Sequence, residues 1–89
     1  MRPPKNPIHP GEILLEEFLK PAGETQAAFA ARIDWTRARL NEFIRGKRGV
    51  TADAALDLAE ALGTSGKIWM NLQSTWDLAA AARRRRSAA

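Results

Sequence analysis

Apolar residues in this chain recur three and four positions apart, and nowhere do they alternate with polar residues over a strand-length stretch. Ile13, Leu14, Phe18 and Leu19 form one helical stripe. Leu40, Phe43 and Ile44 form a second, and Ala55, Leu58, Ala59 and Leu62 a third. The punctuation between stripes sets the helix ends. Pro10 suits the first position of helix 1, which is expected to run to about Lys20 and stop at Pro21, because the residue before a proline disfavours the α region. Thr25 is a good N-cap for helix 2, with Ala27, Ala28, Phe29, Ala30, Ala31 and Ile33 as helix formers or packers; Asp34 and Trp35 break the run. Thr36 caps helix 3, Arg37 to Arg45, and Gly46 ends it. Thr51 caps helix 4, about 52–62, which Gly63 ends. Ser65 or Gly66 opens helix 5, with Ile68, Trp69, Leu72, Trp76 and the Ala79–Ala82 run. The expected fold is all-α with five helices and no internal repeat.

Three regions follow from composition. Residues 1–8 hold Pro3, Pro4 and Pro7 with Arg2 and Lys5 between them, which reads as an extended, mobile arm. Residues 9–80 carry the helices. Residues 81–89, with Arg83–Arg86, read as a basic and disordered tail.

Helices 2 and 3 with their short connection form the helix, tight turn, helix arrangement that sets a second helix in the DNA major groove. From Arg32 to Arg48 the segment carries Arg32, Arg37, Arg39, Arg45, Lys47 and Arg48 against Asp34 and Glu42, a balance that favours a polyanion. At about 100° per residue, Leu40, Phe43 and Ile44 cluster on one side of helix 3 with Thr36. Ala38, Glu42 and Arg45 fall opposite, Asn41 lies beside them, and Arg37 and Arg39 flank that face. Arg can bond guanine O6 and N7 in bidentate fashion, Asn can do the same with adenine, Ala can meet a thymine methyl, and Glu can accept from cytosine N4. Any solvated surface helix can carry such charges; the preceding helix and turn favour DNA reading. Arg37, Ala38, Arg39, Asn41 and Glu42 are therefore expected to face bases.

Length and charge narrow the class further. Eighty-nine residues make one small domain with net charge +4, and a chain this short gains from dimerisation. The absence of cysteine excludes a disulfide framework and a thiolate metal site. No apolar stretch approaches the ~20 residues of a membrane span, and the start of the chain lacks the apolar core of a secretory signal. A cytoplasmic protein with no membrane association is expected. His9 has no second histidine to complete a metal site, so it reads as a cap or packing residue. Glu12, Glu16 and Glu17 lie in the first turns of helix 1, where acids suit the dipole. No catalytic constellation, no metal site and no cofactor site is recognised, and no enzyme is expected.

Three tryptophans remain. Trp69, Leu72 and Trp76 share one helical face. A large aromatic at helical spacing is usually core, but a domain this small does not easily bury two Trp on its last helix, so part of this face, with Trp69, Leu72 and Trp76, is expected at a homodimer interface. Trp35 either covers the junction of helices 2 and 3 or stays exposed beside DNA. Arg83–Arg86 reads either as a solvated tail or as a non-specific phosphate contact, each neutralised phosphate steepening the salt dependence of binding.

Beside this reading stands a family resemblance. Thr25 to Arg48 resembles the helix-turn-helix of the lambda-repressor-like, or XRE, class. Gln26 sits where phage repressors place a Gln against the phosphate backbone, Ala30 where the motif keeps a small residue, and Gly46-Lys47-Arg48 matches the sequence after the recognition helix. Asp34 departs from the usual Gly; Asp is among the residues that tolerate φ > 0. His9-Pro10-Gly11-Glu12 at the front, Gly49 to Leu56, and Ile68-Trp69-Met70-Asn71-Leu72-Gln73 with Trp76-Asp77-Leu78 at the rear are similar to HigA/VapI-type antitoxins. Gly66-Lys67, where that family tends to have Pro-Glu, and Trp76, where it has Tyr, depart from it.

The resemblance covers roughly residues 8 to 78. It implies a lambda-repressor-like domain that binds operator DNA, an inverted repeat, as a homodimer. It further implies the antitoxin of a HigBA-type pair, repressing its own operon and neutralising a HigB-type, mRNA-cleaving toxin. Gln26, Thr36, Arg45, Lys47 and Arg48 are then expected on phosphates. A stand-alone XRE-type regulator without a toxin, and an interaction module that has lost DNA binding, are the alternatives; the basic outward face of helix 3 argues against the second.

Overall fold

The computed structural model describes residues 7–88, and among them every regular element is helical. Helix α1 is three continuous segments: α-helical Pro10–Ile13, π-helical Leu14–Leu19 and α-helical Lys20–Ala22. Then follow α2 (Gln26–Arg32), α3 (Arg37–Ile44), α4 (Ala52–Leu62) and α5 (Gly66–Ala88). Threonines set three of the starts: Thr25, Thr36 and Thr51 accept at Oγ1 from the amides of Ala28, Arg39 and Ala54, at 3.1, 3.0 and 3.1 Å. Ser65 does the same for α5, its Oγ accepting from Ile68 at 3.2 Å.

Two helix ends differ from expectation. Helix α1 does not stop at Lys20. In a regular α-helix the Pro21 ring would press on the carbonyl four residues back. Here the turn before it is wide, with the Lys20 amide donating to the Leu15 carbonyl five residues back, which eases that contact. The helix ends instead at Gly23, with φ 66°. Nor is the C-terminal segment disordered: α5 continues through Arg83–Arg86 to Ala88. Ala and Arg are strong helix formers, and arginines in a last turn suit the negative end of the helix dipole. Of the expected arm, residues 1–6 lie outside the described residues; Pro7 is buried and Ile8 exposed.

Helix α1 packs on α3 and α5, α2 on α3, and α4 on α5. Their shared core holds Leu14, Leu19, Phe29, Leu40, Phe43, Leu58 and Trp69, all essentially without solvent contact. Trp69, expected at a dimer interface, is thus a core residue of the protomer. Its ring lies 5.7 Å from that of Phe18, and its Nε1–H donates to Thr64 Oγ1 at 2.8 Å. Trp76 is also engaged within the protomer, its ring 5.0 Å from His9. Leu72 is half-buried against the core. Helix α1 supplies the cover for this face, with Phe18 against Trp69 and His9 against the half-buried Trp76.

The tightest approach joins α1 to α3. A Cβ at Gly11 would fall 1.9 Å from the Phe43 carbonyl oxygen and 2.8 Å from Ile44 Cα. Glycine is therefore required where the start of α1 crosses the end of α3. His9 secures the same junction. Its Nδ1 accepts from the Gly11 amide at 2.9 Å, and its ring stands edge-on to Phe43 at 5.8 Å.

Two measurements test this junction. Gly11→Ala must separate α1 from α3, and overpacking of this kind costs about 1–3 kcal/mol or more; a clear drop in the denaturation midpoint is expected, and an unchanged midpoint refutes the contact. The second concerns His9, whose pKa is lowered below the ordinary 6.5 by burial, with the charges of Asp77 and Glu12 opposing. The folded state holds His9 neutral, as the Nδ1 acceptor role also demands. That stability is complete above the unfolded pKa and is lost as pH falls below 6.5 towards the lower folded value. Thermal midpoints should fall between pH 7.5 and 5.5, and by less in His9→Asn, which keeps a capping acceptor without titrating. Equal pH profiles would contradict it.

Candidate nucleic-acid interface

Helices α2 and α3 meet through a turn built by the end of α2. The Asp34 amide donates to the Ala31 carbonyl at 3.3 Å and that of Trp35 to Ala30 at 2.9 Å, the pair of bonds that reverses a chain after a helix. That closure needs a left-handed residue, and Asp34 supplies it at φ 61°. Aspartate bears this conformation at some cost, being next to the negative end of α2 as well. Trp35 closes the turn: it is 7% exposed, and its Nε1–H donates to Asp57 Oδ2 on α4 at 2.9 Å. Of the two roles open to Trp35, it takes the cover of the junction. Helix α3 ends in the same way, with Gly46 (φ 78°) donating to Phe43 at 3.1 Å and Lys47 to Glu42 at 2.8 Å.

Leu40 and Phe43 are buried beneath α3, while Thr36, Arg37, Ala38, Asn41, Arg45, Lys47 and Arg48 are exposed. The structure brings Gln26 to this face, the Asn41 Nδ2–H donating to Gln26 Oε1 at a long 3.4 Å. Thr36 uses its oxygen lone pair on the Arg39 amide, which leaves its O–H free to donate. Thus Gln26, Ala38 and Asn41 stand together on one flank, with Arg37 at the helix start.

Two members of the expected base-facing set are held elsewhere. The Arg39 guanidinium lies 3.9 Å above the Trp35 ring, drawn to the flank away from Asn41 by a cation–π contact. Glu42 Oε1 accepts from both Nε and Nη2 of Arg48, at 3.2 and 2.7 Å. This exposed pair holds Arg48 across the end of α3. Sequence spacing gave no sign of the Glu42–Arg48 pair, because it closes through the Gly46 turn. The Trp35–Asp57 bond was equally hidden, spanning separate helices. A Trp in the turn followed four residues on by an Arg was the one available signal for the stacking.

The loop beyond α3 is fixed from α5. The Val50 amide donates to Gln73 Oε1 at 2.7 Å, and Gln73 Nε2 donates to Asp77 Oδ1 at 2.9 Å. A Cβ at Gly49 would fall 3.0 Å from that Gln73 oxygen, so the turn carrying Lys47 and Arg48 lies directly against α5. Among the described residues no helix is long and apolar enough to cross a membrane.

Comparison with known proteins agrees with this geometry. The HTH_3 family, described as helix-turn-helix, matches residues 15–69. Virulence-associated protein I of Dichelobacter nodosus is 46% identical over 71 residues, covering 80% of this chain and 66% of its own. Antitoxin HigA-1 of Vibrio cholerae is 40% identical over 75 residues, covering 83% of this chain and 70% of its own. The chain thus spans about two thirds of the length of these curated relatives. The solved structure of Pseudomonas aeruginosa antitoxin HigA with the higBA promoter is similar with a TM-score of 0.86 and 41% identity, covering 91% of this chain and 88% of that one. The chain belongs to the XRE-type helix-turn-helix family, in the group that includes the HigA antitoxins.

Proposed function

We propose that this chain is a sequence-specific DNA-binding antitoxin of the HigBA type, acting in the cytoplasm as a regulator and not as an enzyme. It represses its own operon and neutralises an mRNA-cleaving toxin. The observation that carries the DNA part is the outward face formed by half-buried Gln26 and exposed Arg37, Ala38 and Asn41 on a packed helix pair, in a fold shared at 41% identity with an antitoxin solved with its promoter. The toxin part is carried over from that relationship.

In this reading Arg37, Ala38 and Asn41 meet base edges, because they stand exposed on α3 and, among the described residues, their side chains have no hydrogen-bond partner but Gln26. Thr36, Gln26, Arg45 and Lys47 take phosphates. Arg48 leaves Glu42 for a phosphate at little cost, since an exposed ion pair is worth about 0–1 kcal/mol. Arg39 joins from its place on Trp35 where the groove wall comes close. Two such faces must lie about 34 Å apart to enter successive major grooves, which calls for a two-fold dimer and an inverted-repeat operator. With Trp69 and Trp76 engaged inside the protomer, the dimer contact falls to the outer side of α5, around the exposed Ile68 and half-buried Leu72.

Two experiments decide these points. In salt titrations of operator and arbitrary duplexes, Arg37→Ala should lose about 1–3 kcal/mol on the operator and relax one base position, whereas Lys47→Ala should weaken both duplexes and lower the salt slope by about one. Unchanged operator affinity in Arg37→Ala removes it from the base-reading set. The toxin part is tested by expressing the neighbouring gene product with and without this chain. Growth arrest relieved by this chain, with the two copurifying, supports the antitoxin; operator binding without any relief marks a stand-alone regulator.

A further inference from the structure

The four consecutive arginines near the end of α5 are not used by the helix-turn-helix face. Arg83, Arg84, Arg85 and Arg86 are all exposed and all helical. Among the described residues none of them forms an ion pair, and the last acid before them is Asp77. The chain has fourteen Lys and Arg against ten Asp and Glu. Without these four arginines the two signs balance at ten each, so they account for the whole net charge of +4. The body that carries the recognition helix is electrically neutral as a whole. Its own basic face is offset by the acids of α1 and α4.

Helix geometry fixes how these charges are displayed. Successive side chains turn by about 100°, so four in a row point to every side of the helix and form a collar. The preceding Ala79–Ala82 run keeps the shaft slender. A protein surface touches one side of a helix and would use only part of such a collar. Nucleic-acid backbones flanking a groove present phosphates on both sides of a rod that approaches them. Arginine suits them further, as its planar fork bonds phosphate oxygens in pairs. The position also fits. Gln73 is bonded to Val50 in the turn that follows the recognition helix. Arg83 lies ten residues further along α5, about 15 Å beyond that bond at 1.5 Å per residue. The collar is thus joined to the motif by a continuous helix and lies within reach of a duplex held by α3, whose half-turn is about 17 Å.

We propose that Arg83–Arg86 form a second, sequence-independent phosphate-binding element, which grips the DNA backbone outside the base pairs read by α3. It rests on the reading of this chain as a DNA-binding protein, and it assigns to the last turns of α5 the long-range attraction that the neutral body lacks. Base reading and phosphate affinity are thereby divided between two parts of one chain.

The test compares the full chain with Arg83–Arg86→Ala and Arg83–Arg86→Lys, on a duplex limited to the operator and on one extended by ten base pairs at each end. Alanine preserves the helix, which circular dichroism verifies. With a slope of about −0.9 for each phosphate neutralised, the alanine variant should show a salt slope smaller by roughly 2–4 per protomer on the extended duplex. It should bind at least about tenfold more weakly there at 150 mM salt, and lose the advantage of the extended duplex over the short one. Its preference for operator over arbitrary DNA should be unchanged, and the lysine variant should retain most of the slope. Equal slopes for the full chain and the alanine variant on the extended duplex overturn the proposal, as does a loss confined to an acidic protein or anionic vesicles. If no protein prefers operator to arbitrary sequence, the operator reading fails, while the slope comparison on arbitrary DNA still decides the collar.

Discussion

The recognition helix is fixed at its far end by a backbone approach that glycine alone allows. Gly11 brings the first turn of α1 against the Phe43 carbonyl, and a Cβ there would overlap the oxygen. Around this point His9 caps α1, touches Phe43, packs on Trp76 of α5, and lies against the Gly46 turn, where a Cβ would be 3.7 Å from its ring. One residue thus ties together the start of α1, the end of α3 and the middle of α5. The exposed face of α3 acquires its orientation from that junction and from the Trp35 turn at its other end. Both ends use the same device, a helix terminus closed by a left-handed residue, with Gly46 at one and Asp34 at the other. The start of α3 contributes its Thr36 cap alone, so the side chains nearest the expected bases are the least constrained.

Much of this was legible in the sequence because it is local. Caps, stop signals and the stripes of α2, α3 and α4 depend on residues within four positions of one another. The three threonines mark their starts, and Gly46 and Gly63 mark the ends of α3 and α4, without reference to the rest of the fold. The outward set on α3 follows from the same periodicity. What the sequence did not disclose is non-local. The burial of Trp69 depends on Phe18 from α1, and the engagement of Trp76 depends on His9. Gln73 reaches Val50 across 23 positions, and Trp35 reaches Asp57 across 22. The persistence of α1 through Pro21 is of a different kind. It is a local effect, but one that hinges on a widened turn that proline rules by themselves do not anticipate.

The helical state of Arg83–Arg86 shows how a compositional reading can mislead. A run of like charges disfavours compaction, which is why such runs read as tails. Compaction is not required of a helix that simply extends beyond the core. Here twelve residues after Trp76 continue a helix already nucleated by packing, so each added residue needs only a favourable propagation step. Alanine and arginine both provide one. A tail in coil form would spread its charge over a wide and shifting volume. The same residues on a rigid helix concentrate it at a fixed distance from the motif.

The side chains of the interface differ in what holds them, and this bears on their roles. Arg39 is stacked on Trp35 and Arg48 is paired with Glu42, whereas Arg37 is exposed without an ion pair among the described residues. A phosphate contact rewards charge within reach and does not require the side chain to be placed in advance. An exposed ion pair such as Glu42–Arg48 is worth at most about 1 kcal/mol, and a phosphate offers a stronger, bidentate partner. Arg48 can therefore exchange one anion for another with little loss, which suits a backbone contact. Glu42, released in that exchange, would be left as an uncompensated carboxylate beside DNA. In the proposed complex it would then have to accept a hydrogen bond from a base edge, such as cytosine N4, or oppose binding.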